Sequence, residues 1–299
     1  FNGAGGCTVI VNSEVYQITY CHVSPNFLVY VGQYVKQGEL IETYVIECHN
    51  DFDVFYNKYR SLIDKLDVEN IEMVVFQVTT CNDECAEIKK NGLRNLQWVL
   101  SNDTALCRFL KEYDISFDIE SKLMYIGGTA FDVDYEKYTD LDVISRRKEQ
   151  LHKIGHKIYY DFQINAFLFC KDIYDYSTIH EAPEFLYTLS SLNDATKGID
   201  IKWKNLCKPY VVKYKSKLKD FTYFTFYGNE REYNEDRREN WCELRRLLIS
   251  RAVESAFGDS ASQIFAYMKP DMIVAPENIL EYVPAEKWRK DVLKYFGKE

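Results

Sequence analysis

Two histidines, His152 and His156, stand four residues apart, a spacing that on a helix turns both imidazoles to one face where they could share a metal ion. The residue after His152 is Lys153, not the glutamate of the zinc-binding pattern H-E-x-x-H, so the pair reads as surface or interface histidines and no metal is expected there. Cys81 and Cys85 are also four apart, at an expected helix start, where a helix dipole lowers a thiol pKa. Nothing nearby in sequence completes a triad or a metal site around them, and buried packing is the preferred reading. Lys213, Lys215, Lys217 and Lys219 alternate along one apolar stretch, so on a strand all four project to one side. Such a stripe either binds anions, as nucleotide phosphates or nucleic acid, or guards an edge strand against pairing with another sheet. On an acidic chain the edge-guard reading is favoured.

The elements that must position these residues fall into two unlike stretches. Residues 8–46 read as short strands ("TVIVN", "VYQITYCHV", "LVYV", "LIETYVI") punctuated by Pro25, Gly32 and Gly38. From Asp51 the pattern changes: "DFDVFYNKYRSLIDKL" carries apolar residues at helical spacing, and "EMVVFQVTT" (72–80) reads as a buried strand. A helix is expected immediately after it, with Thr80 or Asn82 as N-cap and Gly92 at its end. Helices follow at "RNLQWVL" and "TALCRFLKEY", and a hairpin at "SKLMYIGGTAFDV" turns on Gly127-Gly128. One long helix is expected over about Ser145 to Tyr174, and another at "APEFLYTLSSL". Strands are expected at "KPYVVKYKSKLK" and "TYFTFYG", then a helix over about 236–257, a strand "ENILEYV" and a closing helix. Helices are grouped apart from strands instead of alternating with them, which implies an α+β fold. The expected organisation is a partial all-β module at 1–46 and a mixed helical and small-sheet domain at 47–299.

Bulk properties narrow the function. The 299 residues are 46% hydrophobic and 28% charged, enough apolar surface for a sizeable core. A net charge of -9 argues against a general binder of the phosphate backbone, so no strong nucleic-acid signal is present. No apolar run reaches the about 18 residues of a membrane span, and no membrane partner is expected. The chain begins at Phe1 without a basic, apolar leader, and a fragment is one reading of that start. Nine scattered cysteines with no C-x-x-C pair argue against a disulfide framework and for reduced thiols in a cytoplasmic setting.

Two resemblances add to this. "GAGGCTVIVNSEVYQITYCHVS…VYVGQYVKQGELI" resembles part of the lysostaphin-like zinc metallopeptidases that cleave peptidoglycan cross-links, through Tyr20, His22, Ser24, Gly32, Gln33, Val35, Gly38 and Ile41. The match covers about a seventh of the chain. It implies that His22 is a catalytic histidine that is not a zinc ligand, in a wall-degrading enzyme placed outside the cell or on a virion. Two of the family's zinc ligands would precede Phe1 and its H-x-H pair is not found downstream, so zinc is expected only with ligands from outside this sequence. The strand "VVFQVTT", the helix after it and "IKKNGL" resemble, more weakly, the opening of ADP-ribosyltransferase-fold proteins, some of them bacterial toxins or phage-defence factors. That resemblance implies a domain over about 70–283 that binds NAD or another small nucleotide and modifies a macromolecule. Active members carry His or Arg in the first strand where this chain has Gln77, which can hydrogen-bond a ribose hydroxyl without a charge. Thr79 and Asn82 are the nucleotide contacts it implies, and Glu277, Glu181 or Glu184 are the candidates for the acid that steadies the ribose. The expected activity is ADP-ribosyl transfer. The other readings are a wall-degrading zinc peptidase and a non-enzymatic interaction protein in which His22 and Gln77 are inert.

Overall fold

A computed structural model describes residues 8–12, 17–23, 26–29, 48–49, 51–138, 145–227, 230–238, 241–257 and 263–295. In chain order the elements are β1 (Thr8–Asn12), β2 (Gln17–Val23), β3 (Asn26–Val29), α1 (Phe52–Ile63) and β4 (Ile71–Cys81). Then come α2 (Ala86–Asn91), α3 (Leu96–Ser101), α4 (Ala105–Glu112) and a meander of β5 (Ile115–Asp118), β6 (Leu123–Ile126) and β7 (Thr129–Asp132). They are followed by α5 (Arg146–Tyr159), β8 (Asn165–Cys170), α6 (Ile173–Tyr176), α7 (Glu184–Ser190), α8 (Ile199–Leu206) and β9 (Lys208–Lys217). The chain closes with α9 (Glu230–Arg238), α10 (Cys242–Phe257), β10 (Gln263–Tyr267), β11 (Ile279–Pro284) and α11 (Ala285–Tyr295). The fold is α+β, with antiparallel sheets.

β4 is the axis of the eight-stranded sheet. Along one edge it pairs with β9 in unbroken register from Glu72↔Lys217 to Cys81↔Lys208, and β11 lies beyond β9. Its other edge is shared. β1 takes the first part (Val9↔Met73, Val11↔Ile71), and β8, backed by β10, meets it at Phe76↔Phe167. The strands of the opening stretch therefore extend the sheet that carries the body of the chain. Gly32, Gln33, Val35, Gly38 and Ile41 lie outside the described residues.

A continuous apolar run suits a strand buried on both faces. Ile71, Met73 and Val75 point into a core that also holds Phe55, Ile63, Leu244 and Leu248 from α1 and α10. Phe76 and Val78 point the other way, toward Trp288 of α11, and the Phe76 ring lies 4.7 Å from that of Trp288 and 5.6 Å from that of Phe167. A third core joins α4, α5, α7 and α8 to the meander, around Phe109, Ile154, Phe185, Leu186 and Trp203. Gly155 lets α5 lie on the chain after β7, since a Cβ there would fall 2.0 Å from the Val133 carbonyl oxygen.

Several sequence expectations are corrected. The helix expected over Ser145 to Tyr174 ends at Tyr159, and the chain reverses to form β8. "TYFTFYG" forms a 3-10 turn over Tyr223–Phe226 in place of a strand. The helix expected over 236–257 is two helices, broken at Trp241 with φ 61. Asp236, only 3% exposed, lies in the last turn of the first and caps the second, accepting hydrogen bonds from the Glu243 and Leu244 amides and from the Tyr227 hydroxyl. β11 pairs β9 only as far as Tyr214, so Lys213 lies inside the sheet, whereas the outer edge of β9 at Lys215 and Lys217 has no strand partner among the described residues, and Lys219 falls in the 3-10 turn Leu218–Asp220. Lys213 lies across from Glu281 at 3.9 Å and Lys215 reaches Glu72 diagonally at 3.7 Å, which places both lysines beside carboxylates of neighbouring strands.

Candidate functional site

Beyond Phe76 the edge of β4 that faces β8 has no strand partner among the described residues, although β9 stays paired to the other edge through Cys81. The two strands diverge, and a cleft of about 370 Å³ fills the gap. One wall is the end of β4, with Gln77, Thr79 and Cys81. The facing wall is the reversal that leads into β8, with Asp161, Gln163 and Asn165. Further sides come from Trp98 of α3, Glu184 at the start of α7, and Phe265 and Tyr267 of β10.

Local chemistry fixes these walls. Thr80 of β4 accepts the indole N–H of Trp203 at 2.8 Å, which ties the strand end to the helical core. The bend after α2 needs Gly92, whose φ is 73 and whose added Cβ would meet the Val274 carbonyl oxygen at 2.0 Å. That close approach lets Leu93 and Val274 pair by backbone hydrogen bonds of 3.0 and 3.1 Å. Arg94 lies over the Trp98 ring at 5.0 Å on the rim.

Three of the charged side chains in the lining form one cluster. Lys157, at the end of α5, pairs with both Asp161 and Glu184. Burial works against its charge, but the two carboxylates outweigh that penalty and hold its pKa above the ordinary lysine value. Asp161 also accepts from the side-chain amides of Asn165 (2.6 Å) and Gln163 (3.4 Å). Both amides thus spend their N–H groups on one carboxylate, which leaves the Asn165 and Gln163 carbonyl oxygens buried without a donor. Asp83 Oδ1 is a third such acceptor in the lining, its other oxygen taking the Glu87 amide at 2.8 Å. Each unpaired buried acceptor costs about 1–3 kcal/mol, a cost that a ligand rich in N–H or O–H groups removes. Burial raises the pKa of Tyr176, and pushes that of Tyr267 up to about 12, so both phenols are neutral donors at neutral pH.

The residues singled out from the sequence separate here. Gln77 and Thr79 stand in the cleft wall, as does Glu184. Glu277 does not: it is exposed on the 3-10 turn Pro276–Asn278 that precedes β11. Asn82 is exposed outside the lining, and the acid beside it, Asp83, takes the inward place. Asn82 is not the N-cap, because the helix starts only at Ala86, after two left-handed residues. Glu181 pairs with Lys204 at 2.7 Å and accepts from Tyr187, away from the lining. His22 is in β2. His152 and His156 form an aromatic cluster with Tyr135 and Tyr160, and the His152 ring contacts the Tyr135 carbonyl through Nδ1 at 3.1 Å. Among the described residues no group of three or more His, Cys, Asp or Glu is arranged to hold a metal ion, and no helix is long and apolar enough to cross a membrane. Lys157, Asp161, Gln163 and Asn165 were not anticipated from the sequence.

Compared with protein-family models, curated proteins and solved structures, the chain matches none of them.

Proposed function

We propose that the cleft binds a nicotinamide nucleotide and that the chain is an ADP-ribosyltransferase-like enzyme acting on a macromolecule. One observation carries this reading: β4 parts from β8 directly after Phe76, so Gln77 and Thr79 line a cleft at the strand end where that resemblance places the ribose contact. The cleft volume sits at the low end of the about 300–1,000 Å³ typical of ligand sites, which suits a nucleoside-sized part of the ligand. Its three unpaired acceptors suit a ligand with a carboxamide and ribose hydroxyls. The bound nucleotide supplies the ADP-ribosyl group. In this reading Gln77 hydrogen-bonds the ribose, Asn165 and Gln163 accept from the ligand, and Lys157 holds the Glu184 carboxylate in place. Glu184, in place of Glu277, provides the negative charge beside the reacting sugar. A reducing, cytoplasmic setting belongs to the same proposal, supported by seven cysteines that stand as free thiols.

The test combines binding with turnover. NAD titrated into the chain by calorimetry gives saturable heat, and Glu184→Gln keeps binding within a few-fold while lowering NAD turnover by about 10²-fold or more. Absence of NAD binding to the unmodified chain contradicts the proposal. Binding without any turnover reduces it to a nucleotide-binding protein.

A further inference from the structure

The two cysteines at the mouth of the strand have a geometry that the nucleotide reading does not use. Cys81 ends β4 in the cleft wall, and Cys85 sits four residues on with its Sγ 3.4 Å from the Cys81 sulfur. The contact is made by a tight turn in which Glu84 (φ 54) and Cys85 (φ 63) are both left-handed, an unusual conformation for two successive residues with side chains. The turn is held by the Ala86 amide on the Asp83 carbonyl and by the Glu87 amide on the Asp83 carboxylate. It also aims the Cys85 amide at the Cys81 sulfur, 3.1 Å away. Cys81 therefore faces the Cys85 N–H together with a Cys85 thiol placed to donate to it. Cys85 itself is completely buried.

We infer that Cys81 and Cys85 form a dithiol site that a hydroperoxide entering the cleft oxidises to an intramolecular disulfide. The two roles follow from the geometry. Cys81 is reachable from the cleft and has its thiolate stabilised by the Cys85 donors, which lower its pKa despite its burial. Cys85 is held protonated, because its thiol donates to Cys81 and is buried. The Cys81 thiolate attacks the peroxide O–O bond, becoming a sulfenic acid and releasing an alcohol, or water from hydrogen peroxide. The Cys85 sulfur then displaces hydroxide from the sulfenic sulfur, and that hydroxide leaves as water with the thiol proton. The balance is two thiols and one hydroperoxide giving one disulfide, one alcohol and one water. Two of the other thiols differ: burial pushes Cys170 up to about 12, and pushes Cys207 to about 12 as well. The reaction requires no bound nucleotide.

The sequence makes the test direct, because Lys65 and Lys89 are successive tryptic sites and residues 66–89 contain Cys81 and Cys85 and no other cysteine. The reduced full chain is treated with hydrogen peroxide, alkylated, digested and weighed. The inference expects peptide 66–89 to lose a hydrogen pair and resist alkylation until a dithiol reductant restores it. This should occur roughly tenfold faster than oxidation at Cys170 or Cys207. In Cys85→Ser a dimedone-trappable sulfenic acid accumulates on Cys81, whereas in Cys81→Ser the Cys85 thiol stays alkylatable. The inference is overturned if the 66–89 peptide of the unmodified chain remains doubly alkylated while other cysteines oxidise. Cys81 linked instead to Cys207, or Cys85 oxidised first, overturns it equally.

Discussion

The two halves of β4 belong to one strand, share one partner in β9 and differ in nearly everything else. From Ile71 to Phe76 one edge is paired throughout with β9 and the other is met by β1 at Ile71–Met73 and by β8 at Phe76, and the sequence is almost wholly apolar. From Gln77 to Cys81 one edge is open, three of the five residues are polar and the side chains are partly buried around a cleft. A strand end held rigid by one neighbour and released by the other presents side chains at fixed positions while leaving room for a ligand. The first half supplies stability, and the second supplies the wall of the proposed site.

That contrast can be broken most forcefully in the first half. Phe76→Ala removes a ring packed between Trp288 and Phe167, and should destabilise the chain by about 3–5 kcal/mol in urea denaturation. A loss below about 1 kcal/mol would mean that the strand is not the axis of the core. Next comes the cleft wall facing β4. Lys157→Met leaves Asp161 and Glu184 side by side without their shared cation, and should cost about 2 kcal/mol near neutral pH. Because the folded pKa of Lys157 is raised, its pairing stabilises fully below the usual lysine value and fades as pH climbs through the folded value. The difference between the unmodified chain and Lys157→Met should therefore shrink in strongly alkaline solution. A difference that grows there would contradict the ion-pair account. The smallest stability effect is expected at the junction of the two halves: Thr80→Val leaves the Trp203 indole N–H without its acceptor and should cost about 1 kcal/mol.

Much of this arrangement was legible in the sequence, for physical reasons. The β-branched run before Gln77 could only be a buried strand, and its observed bounds, Ile71–Cys81, exceed the expected 72–80 by one residue at each end. Gly127-Gly128 turned as expected, both residues having positive φ. What failed was the far wall. "FQINAFLFC" follows a helical pattern without proline or glycine, and a short apolar run does not distinguish helix from strand, so the reversal at Asp161 was hidden and Lys157, Asp161, Gln163 and Asn165 with it. Glu277 was favoured for lying in a strand-like segment near the end of the chain. Position relative to the cleft is set by pairing between distant strands, which no local pattern encodes. The helix expected at Asn82 started later because left-handed backbone at Glu84 and Cys85 carries no compositional signature in the absence of glycine or asparagine.

The central claim is that the open half of β4 binds a nucleotide through Gln77, and calorimetric titration of NAD into the unmodified chain and into Gln77→Ala tests it most directly. The account predicts saturable binding that weakens by about 1–3 kcal/mol in Gln77→Ala, with denaturation midpoints nearly unchanged. Gln77→His, which restores the residue type of active ADP-ribosyltransferase-like proteins, should bind at least as well as the unmodified chain. Absence of binding in the unmodified chain, or equal affinity in Gln77→Ala, would contradict it.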